Sequence, residues 1–156
     1  MIYKSIYSSP LGYLEICADG EDALTRVYFT SSPSKEYTPN AVTETAAVEL
    51  EEYFAGKRRH FDVPLSPDGS AFEKAVWEAC REIAYGTHCT AKELALKIGD
   101  DKAVRKVTAA IEKNPIAVII PDHRVKGKSN FLSGFGAAAA FKEALLGAEI
   151  NYLKKQ

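Results

Sequence analysis

The chain has 156 residues, 46% hydrophobic and 26% charged, with ten glycines and seven prolines, a composition that excludes disordered, fibrous and collagen-like classes and fits one domain or two small ones. No apolar run nears the roughly 18 residues of a membrane span, and Met1-Ile2-Tyr3-Lys4 lacks the basic-then-apolar start of a secretory signal, so a soluble cytoplasmic protein is expected. The net charge of −1 hides an uneven distribution: Lys102 to Lys142 holds eight lysines or arginines against two acids, and the remainder holds twelve against nineteen.

In chain order, Ile2–Ser8, Tyr13–Cys17 and Leu24–Phe29 are rich in β-branched and aromatic residues, and Pro10-Leu11-Gly12 and Asp19-Gly20 punctuate them. An antiparallel meander is predicted. After a loop with Pro33 and Pro39, residues 42–55 place Ala46, Ala47, Leu50, Tyr53 and Phe54 at helical spacing, and Gly56 ends the helix. Ser66-Pro67-Asp68-Gly69 reads as a linker, dividing the chain into a sheet-and-helix domain over 1–66 and a second domain over 70–156.

Beyond the linker the apolar period becomes 3.6. Ser70 with Glu73 and Thr90 with Glu93 are capping boxes that open two helices, the first with a stripe of Phe72, Val76, Cys80 and Ile83. A third helix is expected from near Lys102, with Val104, Val107 and Ile111 inward and Lys102, Arg105 and Lys106 on the other side, ending at Asn114-Pro115. The second and third form a helix-turn-helix pattern. Its basic side fits either a polyanion-binding surface or a solvated helix face.

Ile116–Ile120 reads as a buried strand or extended segment that delivers the chain to Pro121-Asp122-His123-Arg124, a titratable triplet typical of a site or of a salt-bridged loop terminus. Gly127–Gly136 is expected as a loop. A last helix is expected from Ala137 to Leu146, with Phe141, Leu145 and Leu146 inward and Gly147 as its stop. Trp77 and Tyr85 read as packed aromatics rather than a platform for a base, and His60 as a solvated surface residue. Cys17, Cys80 and Cys89 are odd in number and widely spaced, which argues for free thiols; Cys89 stands beside His88 just before a helix cap, a position that can lower a thiol pKa, but a Cys-His pair without a third member is a weak signal.

Tyr85-Gly86, Lys102-Ala103-Val104-Arg105, Asn114-Pro115-Ile116, Ile120-Pro121-Asp122-His123-Arg124-Val125, Ser133-Gly134-Phe135 and Lys142–Glu149 together resemble the DNA-binding half of the O6-alkylguanine-DNA alkyltransferases, in order and in spacing. Ser9-Pro10-Leu11-Gly12, Tyr53-Phe54-Ala55-Gly56 and Phe61–Leu65 resemble that family's amino-terminal domain, so the likeness spans nearly the whole chain. It implies an α/β fold: a small antiparallel sheet with a helix, then a mostly helical domain with a helix-turn-helix.

In the family, the cysteine of a Pro-Cys-His-Arg motif takes an alkyl group from a flipped guanine, activated by the histidine and a buried glutamate. His123 and Glu149 match those partners, whereas Asp122 stands where the acceptor is expected. A carboxylate is a harder, more strongly hydrated and weaker nucleophile toward carbon than a thiolate. The resemblance also matches Ala91 to a tyrosine that helps rotate the base and Ile111 to an asparagine that ties the site segment, so both functional groups are lost. Arg105 matches the arginine inserted into the duplex stack; Lys102, Lys106 and Lys126 surround it with phosphate-directed charge. Arg124 matches a residue that pins the site loop to carbonyls or a carboxylate, and Ser133, Phe135 and Lys142 lie at guanine-pocket positions.

The expectation is therefore a monomeric alkyltransferase-like protein of DNA repair. It would bind double-stranded DNA in the minor groove, recognise alkylated or distorted duplex without alkyl transfer, and act with another repair-pathway protein, with no membrane, cofactor or metal. Two alternatives stay open: an enzyme using Asp122, His123 and Glu149, and a scaffold that has lost DNA binding.

Overall fold

The structure, a computed structural model, describes residues 1–126 and 139–155. They divide into two compact units. The first holds Met1–Asp68 together with Pro115–Ile119; the second holds Gly69–Asn114 and continues from Ile120 through the last helix.

In the first unit β1 (Ile2–Ser9), β2 (Gly12–Asp19) and β3 (Leu24–Thr30) form an antiparallel sheet with β2 in the middle. The β1–β2 turn needs Gly12 at φ +133, a conformation that L side chains rarely adopt. Ser5 pairs with Ile16 and Ile16 with Val27, so their side chains share one face. The helix α1 (Ala41–Phe54) covers that face, opened by a capping box between Asn40 and Thr43. Ser5 Oγ donates to Thr43 Oγ1 at 2.8 Å, and Leu14, Ile16, Ala46 and Leu50 are fully buried. On the other face the buried Glu15 accepts from the Tyr28 hydroxyl and from Ser34 N–H, with Lys4 Nζ at 3.9 Å. The hydrogen bond to Glu15, then burial, push the Tyr28 phenol up to about 12.

Residues 116–120 are buried except for the half-buried Ala117, and they form neither the strand nor the extended segment expected. Only Ile116 makes a parallel bridge, to Val27, with Val27 N donating to Pro115 O and Ala117 N to Val27 O, both at 2.9 Å. The chain then turns on itself. Val118 sits at φ +71, inside a three-residue turn in which Ile119 N donates to Ala117 O; a second such turn, around Pro121, has Asp122 N donating to Ile120 O. With no further strand edge to pair with, the buried peptide groups satisfy themselves locally.

The second unit is built from α2 (Ala71–Arg81), α3 (Ala91–Lys97), α4 (Val104–Glu112) and α5 (Ala139–Lys154), with a short parallel pair β4 (Cys89–Thr90) and β5 (Val125–Lys126). Both expected capping boxes form, at Ser70/Glu73 and Thr90/Glu93. The helix α4 starts two residues later than expected, so Lys102 lies on the turn before it. Its Val107 and Ile111 are fully buried, and the buried Trp77 on α2 donates its Nε1–H to Ala110 O at 2.8 Å. Packing of this kind stabilises short helices that are marginal alone.

Two expectations about the last helix are corrected. It passes through Gly147 to Lys154, because a mid-helix glycine costs only about 1 kcal/mol against alanine, and buried contacts on both sides of it hold the helix together. Phe141 is 38% exposed rather than inward. The buried face is Lys142, Leu145, Leu146 and Glu149, and Phe141 lies about a quarter turn off its centre.

Candidate functional site

Asp122, His123 and Arg124 form a single 3-10 turn directly after Pro121. The chain leaves it as β5, whose Val125 and Lys126 pair with Cys89 and Thr90, and Thr90 is also the cap of α3. The turn is thereby tied to the start of α3. At its other end, Asn114 Nδ2 donates to Ile120 O at 3.0 Å and pins the approach to the site. Asn114 both ends α4 and belongs to the Asn114-Pro115-Ile116 motif, and its tie to Ile120 O is set by the turns that follow.

Glu149, delivered by α5, is the centre of the site. His123 Nε2 and Glu149 Oε2 share a 2.6 Å hydrogen bond, with both side chains buried. Arg124 donates twice to the same carboxylate, from Nε at 2.9 Å and from an Nη at 3.0 Å, and its other Nη donates to Ile83 O at 2.8 Å. Gly86 N–H donates to Glu149 Oε1 at 2.8 Å. Burial alone would raise this carboxyl, but the His123 hydrogen bond and charge, followed by those of Arg124, outweigh it and hold Glu149 down at about 2. Arg124 thus bonds to a carboxylate and a carbonyl together, and its guanidinium lies over the half-buried Tyr85 ring at 5.6 Å.

Gly86 belongs to this arrangement for a steric reason. Its φ is +76, and a Cβ there would come within 2.2 Å of Leu153 Cδ1.

Asp122 faces a different partner. Its Oδ2 lies 3.5 Å from Lys142 Nζ, with the two side chains 14% and 7% exposed. Lys142 sits seven residues before Glu149, two turns along the same face of α5, so one helix supplies a cation to Asp122 and an anion to His123 and Arg124.

Ala91 is the buried first residue of α3, and Ile111 is buried in α4; both serve the core. Arg105 and Lys106 lie exposed on the first turn of α4, with Lys102 exposed just before it, and none forms an ion pair with a described residue. Lys126 is half-buried on β5. Of the eight basic residues that make the segment positive, Arg124 and Lys142 are buried in the site rather than presented to solvent. Ser133 and Phe135, and the expected loop around them, lie outside the described residues.

The thiols are unactivated. Burial raises Cys17 and Cys80, and at Cys89 burial and then Glu93 raise the thiol, in keeping with the weak signal of the lone His88-Cys89 pair. Among the described residues no group of His, Cys, Asp and Glu is arranged to hold a metal ion, and no helix is long and apolar enough to cross a membrane.

Comparison with known proteins places this geometry. The family profile described as 6-O-methylguanine DNA methyltransferase, DNA binding domain, matches residues 71–151, and that of the same enzyme's ribonuclease-like domain matches residues 2–67. The chain belongs to the 6-O-methylguanine DNA methyltransferase family. A methylated-DNA–protein-cysteine methyltransferase of Haemophilus influenzae is 41% identical over 99% of this chain and 90% of that protein. Among solved structures, the O6-methylguanine methyltransferase of Mycobacterium tuberculosis superposes with a TM-score of 0.86 at 34% identity, covering 97% of this chain and 94% of the other. A structure of the M. tuberculosis protein in complex with DNA gives 0.83 at 37%, covering 94% and 92%. The mixed α/β fold with a three-stranded antiparallel sheet is that of the family.

Proposed function

We propose that this family member binds double-stranded DNA as a repair protein and recognises alkylated or distorted duplex without transferring the alkyl group to itself. The observation that carries the second half is Asp122. Relatives are named for a protein cysteine, whereas Pro121-Asp122-His123-Arg124 presents a carboxylate in an ion pair with Lys142, beside an intact His123–Glu149 pair. The elements that would activate an acceptor remain, but the polarizable thiolate they would act on is absent, and burial raises all three thiols of the chain.

DNA binding rests on the family, on the complex formed by the M. tuberculosis relative, and on the exposed cations Lys102, Arg105 and Lys106 around the start of α4. We read α3 and α4 as a helix-turn-helix laid in the minor groove, where readout is degenerate and binding needs no strong sequence preference. Arg105 then takes the place of an extruded base, while Lys102, Lys106 and Lys126 contact phosphates. Ala91 and Ile111 bring no polar group to the site, in keeping with a chain released from catalysis.

A salt-dependent titration of alkylated and unmodified duplexes tests the binding half. Affinity should fall by about one decade per decade of salt for each phosphate contact, and a flat response would contradict it.

A further inference from the structure

We propose that Asp122 and Lys142 together read the lactam edge of an extruded base, the adjacent N–H donor and carbonyl acceptor that guanine, thymine and uracil carry, and that O6-alkylguanine is a poor ligand of this site. The inference rests on the DNA-binding reading above and narrows its target from alkylated to mispaired bases.

The Asp122 carboxylate is mostly buried, yet the Lys142 ion pair at 3.5 Å is its only hydrogen bond or salt bridge with a described residue. A carboxylate offers about four acceptor sites, and polar groups withdrawn from water are normally satisfied. The neighbouring His123 directs Nε2 to Glu149, and Arg124 directs three nitrogens to Glu149 and Ile83. Asp122 therefore retains acceptor capacity next to a cation.

A carboxylate only accepts and an ammonium only donates, so the complementary ligand edge is a donor beside an acceptor. Guanine presents that edge as N1–H and O6. Alkylation at O6 removes the N1 proton and turns the carbonyl into an ether, which sets the N1 lone pair against the Asp122 oxygens. In a site with little access to water that mismatch is costly, and sites built to hydrogen-bond an N–H reject analogues that lack it far more strongly than apolar pockets reject an extra group. The departure from cysteine thus changes what the pocket selects as well as removing the nucleophile.

The test is a fluorescence-anisotropy titration of the full chain at one salt concentration with three duplexes of one sequence: matched G·C, a G·A mismatch, and O6-methylguanine opposite A, adenine carrying no lactam edge. The last two are both weakened pairs, so extrusion costs are comparable. The G·A duplex should bind at least about tenfold more tightly than the O6-methylguanine duplex. Asp122→Asn places an amide donor beside N1, so that ratio should collapse toward one or invert. The ratio is taken within one protein and does not depend on the fraction folded; should the variant not fold at all, the wild-type ratio decides alone. Equal or tighter binding of the O6-methylguanine duplex by the wild type, or an unchanged ratio in Asp122→Asn, overturns the inference while leaving DNA binding standing. Failure to bind any duplex overturns the DNA-binding reading and this inference with it.

Discussion

Glu149 and Asp122 are carboxylates presented to the same turn, and they are treated in opposite ways. Glu149 receives His123, Arg124 twice and the Gly86 amide, so its lone pairs are used and its charge is held by opposed cations and dipoles. Among the described residues Asp122 has a single ion pair, longer than a good charge-assisted hydrogen bond, and remains partly open. The first arrangement is what a scaffold needs, with little freedom and high cost of removal. The second is what a binding position needs, a charge kept in place with capacity to spare. On the proposed reading, the scaffold of the family's transfer site persists around a residue whose chemistry has changed.

The largest expected effect breaks the scaffold side. Glu149→Ala leaves His123, Arg124 and the Gly86 N–H without their acceptor, and removing one partner of a buried ion pair costs about 3–5 kcal/mol, measurable as a lowered urea midpoint. Acid should act on the same group. A carboxyl lowered from 4.5 to about 2 contributes stability that is present above the unfolded pKa and lost as pH falls through the folded one. Wild-type stability should therefore drop by about 3 kcal/mol between roughly pH 5 and pH 2 from this group. Glu149→Gln should lack that part of the slope.

Next comes an attempt to convert the open side back. Asp122→Cys restores a thiol beside His123, but Ala91 and Ile111 supply neither of the two polar groups that the family resemblance assigns to base rotation and site support. Small errors of position cost about a hundredfold in rate. Labelling by O6-methylguanine DNA should thus be at least about a hundredfold slower than for the Haemophilus relative, and comparable rates would show those two positions to be unimportant.

Smaller effects separate Arg105 from Lys106. If Arg105 fills the space of an extruded base, Arg105→Ala should weaken binding several-fold more on a duplex with a weakened pair than on an intact one, because extrusion is cheap only in the former. Lys106→Ala should weaken both alike and reduce the salt slope by about one, as expected of a phosphate contact. Equal losses on the two substrates for Arg105→Ala would reduce it to the same role.

Much of this was legible in the sequence because the signals are local. Alternating strands and the two capping boxes depend on neighbours within a few residues and appear where expected; of the expected apolar stripes, Val76 and Cys80 on α2 and Val107 and Ile111 on α4 are buried, whereas Phe72, Ile83 and Val104 are half-buried. The motif residues His123, Arg124 and Glu149 were identified by resemblance, and the structure brings them into contact. What could not be read depends on long-range partners. The path of residues 116–120 follows from the single edge that β3 offers to Ile116, and the continuation of α5 through Gly147 follows from packing on both sides of it. The Lys142–Asp122 pair joins residues twenty apart, and its geometry exists only once α5 reaches the turn.

The most direct measurement is the intact mass of the protein after incubation with an excess of duplex carrying O6-methylguanine, made alongside the binding titration on the same sample. We expect binding that weakens with salt and a protein mass that does not change. A gain of one methyl group per molecule, mapped to the peptide that contains Asp122, would contradict the absence of alkyl transfer.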